Sequence, residues 1–87
     1  MNFVIKSMIF NGLNAKYPGA ISILIDVKDK NALVQYADQR HVNEKIGESK
    51  HIDMLAEFYG MKFVNTIYVD VKKKVIAIRG DKDVVIN

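Results

Sequence analysis

Two stretches of the chain, FVIKSMIF (residues 3–10) and ISILIDV (21–27), are rich in branched and aromatic side chains at period two. Each reads as a strand. The intervening NGLNAKYPG carries the turn dipeptides Asn11-Gly12 and Pro18-Gly19 and reads as a loop. An antiparallel register with Phe10 facing Ala20 opposes Ile9 to Ile21, Ser7 to Ile23, Ile5 to Ile25 and Phe3 to Val27, which leaves one face almost wholly apolar.

A second hairpin is expected toward the C-terminal end. Pairing Asp70 with Val75 sets Val69 against Ile76 and Ile67 against Ile78 on one face, and puts Tyr68, Thr66, Ala77 and Arg79 on the other. The loop is then Val71 to Lys74. Loops of that length are commonly built round a type I turn, which accepts most residues, whereas a tight two-residue turn at Lys72-Lys73 would demand positive φ at both lysines. The closing DVVIN has β composition and suggests a further short strand.

Residues 28 to 61 form the helical part. Ser49 is an expected N-cap, with Ile52, Leu55, Ala56 and Tyr59 following at helical spacing until Gly60 stops the helix. Between Asn31 and Ile46 the pattern is divided: Leu33, Tyr36 and Ala37 share one helical face, while Val42 and Ile46 fall nearly opposite. Either a first helix starts at an Asn31 cap and breaks between His41 and Gly47, or ALVQYA pairs with ISILIDV through the turn KDKN. The alanine, leucine and glutamine content favours helix. The likeness of IDVKDKNALV (25–34) to VDVKKKVIAI (69–78) favours the hairpin, but it is too short to count as a repeat.

The expected fold is α+β: a two-layer sandwich with an antiparallel sheet of four or five strands, one or two helices on one face, and the order β-β-α-(α)-β-β. At 87 residues a single domain spanning 1–87 is expected.

Charge alters this picture little. The balance of 13 basic and 10 acidic residues, a formal net charge of +3, permits an acidic partner or nucleic acid without requiring either. There is no cysteine, which removes thiolate chemistry and disulfides and suits a reducing, cytoplasmic setting. MNFVIKSMIF is too short to span a membrane, is interrupted by Lys6, and is followed by no small-residue cleavage site.

The basic candidates are Lys72, Lys73 and Lys74 at the second hairpin's tip with Arg79 and Lys82 beyond, and Lys28, Lys30 and Arg40 elsewhere. Lysines at a tip can track phosphates, but they also simply stay hydrated and guard a sheet edge against pairing. Lys28 and Lys30 would join the same rim if the two central strands are neighbours. Asp26, Asp29, Asp70, Asp81 and Asp83 dilute the local potential. Tyr68 on the outward face is a stacking candidate, although no run of alternating aromatics and glycine of the kind used to read RNA is present.

Catalytic signals are weak. His41 with Glu44, and His51 with Asp53, give fragments that lack the three or four converging ligands a metal needs, so these side chains read as exposed polar residues near a helix break. Asp53 and Glu57 share a helical face but have no apolar surroundings to shift their acidity. There is no glycine-rich phosphate loop, and Gly47-Glu48-Ser49 lacks the second glycine of a nucleophile elbow. Arg79-Gly80-Asp81 reads as a turn. No cofactor, metal or enzymatic activity is expected.

What remains is a binding surface. The first expectation is a small regulatory or inhibitory protein that occludes a macromolecular partner, most naturally a protein, through Lys72, Lys73, Lys74, Arg79 and Tyr68, with homodimer formation through a strand edge as an accompanying option. Its size and cysteine-free composition are compatible with a phage or mobile-element antagonist working in a host cytoplasm. The alternative is an RNA-binding regulator that adds Lys28, Lys30 and Arg40.

Overall fold

The computed structural model describes the backbone of residues 3–60, 64–78 and 84–85, and side chains from 7 to 60 and 64 to 78. Its elements run α1 (Phe3–Lys16), β1 (Ala20–Asp26), β2 (Asn31–Tyr36), β3 (His41–Lys45), α2 (Lys50–Tyr59), β4 (Thr66–Asp70), β5 (Val75–Ile78) and β6 (Val84–Val85). The strands form one six-stranded sheet in the order β3-β2-β1-β4-β5-β6. Every neighbouring pair is antiparallel. The fold is α+β with two layers, as the sequence implies.

The order of elements differs in the first half. Residues 3–10 are not a strand but the start of helix α1, so the proposed Phe10–Ala20 hairpin does not form. Ile9, Phe10, Leu13 and Tyr17 are buried, the spacing of one helical face. Asn11-Gly12 lies inside the helix, and only Pro18-Gly19 makes a turn. Gly12 is there for close approach: a Cβ on it would fall within the imidazole of His51 on α2. His51 is therefore a half-buried packing residue and not an exposed one beside a helix break, and its Nδ1 is buried without a hydrogen-bond partner.

This wedge yields a prediction. Alanine for glycine inside a helix normally gains about 1 kcal/mol. Gly12→Ala is instead expected to lower stability by about 1–3 kcal/mol, the scale of an overpacked contact. Adding His51→Ala should recover most of the loss. Urea unfolding of the two single variants and the double variant measures the coupling; additive effects would show that the ring yields freely.

The segment 31–46 is a hairpin, not a helix. Ala32 and Val34 point into the core, while Gln35 is exposed and Leu33 half-buried between them, a period of two. Helix propensity is a weak prior, and here the apolar surface of β1 overrides it. The register Ile23↔Val34 and Ile25↔Ala32 lays four buried side chains side by side.

The second hairpin has the expected register, Ile67↔Ile78, Val69↔Ile76 and Asp70↔Val75. Its bend Val71–Lys74 forms without glycine, but Lys74 adopts the left-handed conformation, φ 55°. The helix over 50–59 also matches expectation. Ser49 Oγ accepts the N–H of Ile52 at 3.4 Å, and the Asp53 carboxylate accepts the N–H of Gly47. Gly60 follows the last turn, where a Cβ would come within 2.6 Å of Val27 Cγ2.

Ile9, Phe10 and Leu13 of α1 and Ile52, Leu55 and Ala56 of α2 share one core with Ile23, Ile25, Ala32, Val34, Ile67, Val69 and Ile76. Both helices thus cover the same face of the sheet. Tyr17 closes one margin of the core at 4% exposure. Burial pushes its phenol up from 10.0 to about 12; the Ser49 hydroxyl opposes the rise, and the Glu44 carboxylate and Tyr36 add to it.

An acid whose folded pKa is raised contributes stability that is complete below its unfolded value and disappears as pH climbs through the folded one. Between pH 10 and about 12 the protein should therefore lose stability on the order of 2 kcal/mol through this group. Tyr17→Phe should show a shallower decline across the same window. Parallel slopes for the two proteins in denaturant titrations would remove Tyr17 as the cause.

Candidate functional site: the open face of the sheet

With both helices on one side, the other side of the sheet lacks a cover among the described residues. Strand alternation puts Ser22, Leu24 and Asp26 of β1 on it, together with Leu33 and Gln35 of β2 and Tyr68 and Asp70 of β4. At its centre Leu24 faces Tyr68 across the β1–β4 ladder. They are 39% and 41% exposed, which for a leucine and a tyrosine in the middle of a six-stranded sheet leaves a real apolar surface. Leu33 flanks Leu24 and Ala77 flanks Tyr68, both half-buried. Ser22 Oγ donates to Gln35 Oε1 at 2.8 Å beside them and begins a polar margin.

The basic residues do not gather into one patch. β1 and β4 are neighbours, as the two-lobed patch required, but they run antiparallel, so the bends that follow them lie at opposite ends of the sheet. The Val71–Lys74 bend sits beside Ile21, whose carbonyl accepts the N–H of Val71 at 3.3 Å. The Val27–Lys30 bend sits beside Asn65, whose carbonyl accepts the N–H of Val27 at 2.8 Å. The strands between the two bends span roughly 20 Å at the usual rise per residue.

Lys72, Lys73 and Lys74 are exposed at the first end, and Lys28 and Lys30 at the second. Arg40 belongs to the first end, because Tyr36, just before its turn, pairs with Ala20. It is engaged locally: its Nε lies 2.7 Å from Asp38 Oδ2 and its guanidinium 4.7 Å from the centre of the Tyr36 ring. Arg79 lies outside the described residues.

Of the sequence-derived candidates, the structure thus groups Lys72–Lys74 with Arg40, separates them from Lys28 and Lys30, and puts Tyr68 between the two groups. Sequence reasoning missed Leu24. The signal was its position between the inward-facing Ile23 and Ile25, legible only once β1 is known to be a central strand.

A second exposed apolar feature lies on the helical side. Met8, Ile9, Lys50, His51, Met54 and Phe58 line a shallow groove of about 210 Å³ between α1 and α2. Met8 is 64% and Phe58 46% exposed. The groove carries little polar surface. Among the described residues no group of three or more His, Asp or Glu is placed to hold a metal ion, and no helix is long and apolar enough to cross a membrane. Asp53, one of the paired helical carboxylates, is occupied in capping, and Glu57 is exposed. No protein-family model, curated protein or solved structure matches the chain.

Proposed function

We propose that this chain is a non-catalytic regulatory or inhibitory protein that binds a protein partner stoichiometrically through the open face of its sheet. The observation that carries this reading is the exposed Leu24–Tyr68 pair at the centre of the sheet, on the side away from both helices. An apolar centre bounded by Gln35, Asp26 and Asp70, with charged bends beyond, has the anatomy of a protein interface: a dry middle and a polar rim. Tyr68 offers a rigid amphipathic anchor of the kind that dominates such contacts. The proposed setting is the cytoplasm, which the absence of cysteine suits.

Edge pairing with a second copy is the weaker route. The long exposed edge, β3, reads HVNEK, and its histidine, glutamate and lysine are the polar guards that discourage strand addition.

The RNA-binding reading rests on a different observation, the three exposed lysines of the Val71–Lys74 bend with Arg40 at the same end. Affinity capture from native extract, with and without nuclease, separates the two. A protein recovered equally in both lanes, and retained when Lys72, Lys73 and Lys74 are alanine, supports the protein partner. Capture abolished by nuclease, with binding to random-sequence RNA that falls steeply between low and physiological salt, overturns it in favour of RNA.

A further inference from the structure

The two halves of the chain share one order of elements and, over the four inner strands, one register. Each runs α-β-β-β, and the central strands β1 and β4 pair with Leu24 opposite Tyr68. The short likeness between 25–34 and 69–78 falls on equivalent positions of the two halves. Asp26 Oδ1 accepts the N–H of Asp29 at 3.0 Å, and Asp70 Oδ1 accepts that of Lys73 at 2.9 Å. Lys30 and Lys74 both take φ 55°. Val27 and Val71 are both buried, and the backbone acceptors that hold them, Asn65 and Ile21, are themselves equivalent positions.

The ladder obeys the same symmetry. Ser22↔Asp70 maps onto Asp26↔Thr66 and Ile23↔Val69 onto Ile25↔Ile67, while Leu24↔Tyr68 maps onto itself. A pseudo-two-fold axis therefore passes through the sheet between Leu24 and Tyr68. It relates the Lys28/Lys30 end to the Lys72/Lys74 end. The correspondence holds for the four inner strands and loosens at the outer strands, where β5 meets β6 as Val75↔Val85, and at the helices, where α2 is shorter than α1 and its buried Ile52, Leu55 and Ala56 are not the equivalents of Ile9, Phe10 and Leu13.

Resting on the reading above, we infer that the partner is itself a two-fold symmetric protein, a homodimer with acidic groups on both sides of its axis, and that one copy of this chain sits on that axis. A backbone that repeats about an axis presents two similar half-sites, Leu24 with Leu33 and Tyr68 with Ala77, and two lysine-bearing bends, Lys28-Asp29-Lys30 and Lys72-Lys73-Lys74, to two identical surfaces whose axis coincides with its own. The charges choose the sign. Asp26 and Asp70 turn their carboxylates to backbone N–H groups of their own bends, and each bend still carries more lysine than acid, Lys28 and Lys30 against Asp29 at one end and Lys72, Lys73 and Lys74 at the other, so carboxylates roughly 20 Å apart across the partner's axis complement them. The same charges disfavour a second copy of this chain, because sheets stacked face to face with aligned strands would bring lysine bends against lysine bends.

The test uses the full-length chain and the protein it captures, purified and remixed, with the mass of the complex read by light scattering. Two variants, Lys28→Glu with Lys30→Glu and Lys72→Glu with Lys74→Glu, probe the two ends. The expected result is one chain per two partner copies, with each variant weakening association about tenfold and by similar factors. One chain per single partner copy, or an effect confined to one end, overturns the symmetric partner and leaves the protein-binding reading intact. Failure of the wild-type chain to capture any protein, or capture lost to nuclease, overturns both.

Discussion

Ile25→Ala is expected to cost about 2–5 kcal/mol of unfolding free energy, and Leu24→Ala, its neighbour on the same strand, less than about 1 kcal/mol. Ile25 is fully buried and lies between Ala32 on β2 and Ile67 on β4, with the helices against it. Truncation leaves a void that close-packed neighbours on three sides cannot fill. Leu24 is 39% exposed, and truncating it removes only part of a cross-strand contact with Tyr68. A chain of 87 residues has roughly 4–13 kcal/mol of stability in total. The first variant should therefore lose a large share of its stability, while the second keeps nearly all of it. Urea titrations followed by circular dichroism decide this; comparable losses for both variants would mean that the sheet has no distinct inner and outer side.

The second large effect concerns binding. Leu24→Asp combined with Tyr68→Asp should reduce partner affinity by at least about 100-fold, with a smaller loss of stability because the two carboxylates face each other across the ladder. Two carboxylates at the centre of a dry interface must be desolvated on association, and unpaired buried charge costs several kcal/mol. In the free chain both side chains already reach water, so the folded state bears little of that cost. Titration of the captured protein with wild type and variant, next to their melting curves, separates the outcomes. A variant that unfolds says nothing of the face, so the milder Leu24→Ser with Tyr68→Ser accompanies it, with an expected loss of about tenfold or more.

The parts of the fold that were legible in the sequence are those where a single period was unopposed. In 67–78 the alternation Ile67, Val69, Ile76, Ile78 fits a hairpin and nothing else, and its register is the observed one. In 49–60 the Ser49 cap and the spacing of Ile52, Leu55 and Ala56 agree on helix. Where two periods compete, the local pattern points away from the structure. Phe3 to Phe10 satisfies period two, but Ile9, Leu13 and Tyr17 form a helical stripe that emerges only in a longer window, across a glycine that looks like a turn.

In 31–36 the strand carries apolar Leu33 on its outer side, which blurred the alternation of Ala32 and Val34, and alanine, leucine and glutamine then favoured the helix. The site suffered from the same ambiguity. Tyr68 could be assigned to the outer face because its hairpin was read correctly. Leu24 could not, because β1 had been given the wrong partner, and the separation of the two lysine bends follows from an antiparallel central pair that no local pattern reveals. The likeness of 25–34 to 69–78 is the most informative signal in the chain, since it falls on the two equivalent hairpins β1–β2 and β4–β5.

The open face of the sheet is the surface that the partner is proposed to cover. Tyrosine nitration, mapped by mass spectrometry on the free chain and on the complex, measures that directly. Tyr68 is 41% exposed and Tyr17 only 4%, so Tyr68 should be modified readily in the free chain and Tyr17 should resist. In the complex, nitration of Tyr68 is expected to fall at least about tenfold while Tyr17 stays unmodified. Undiminished labelling of Tyr68 in a complex that loses affinity on Phe58→Asp would put the partner on the groove between the helices, and would contradict the account.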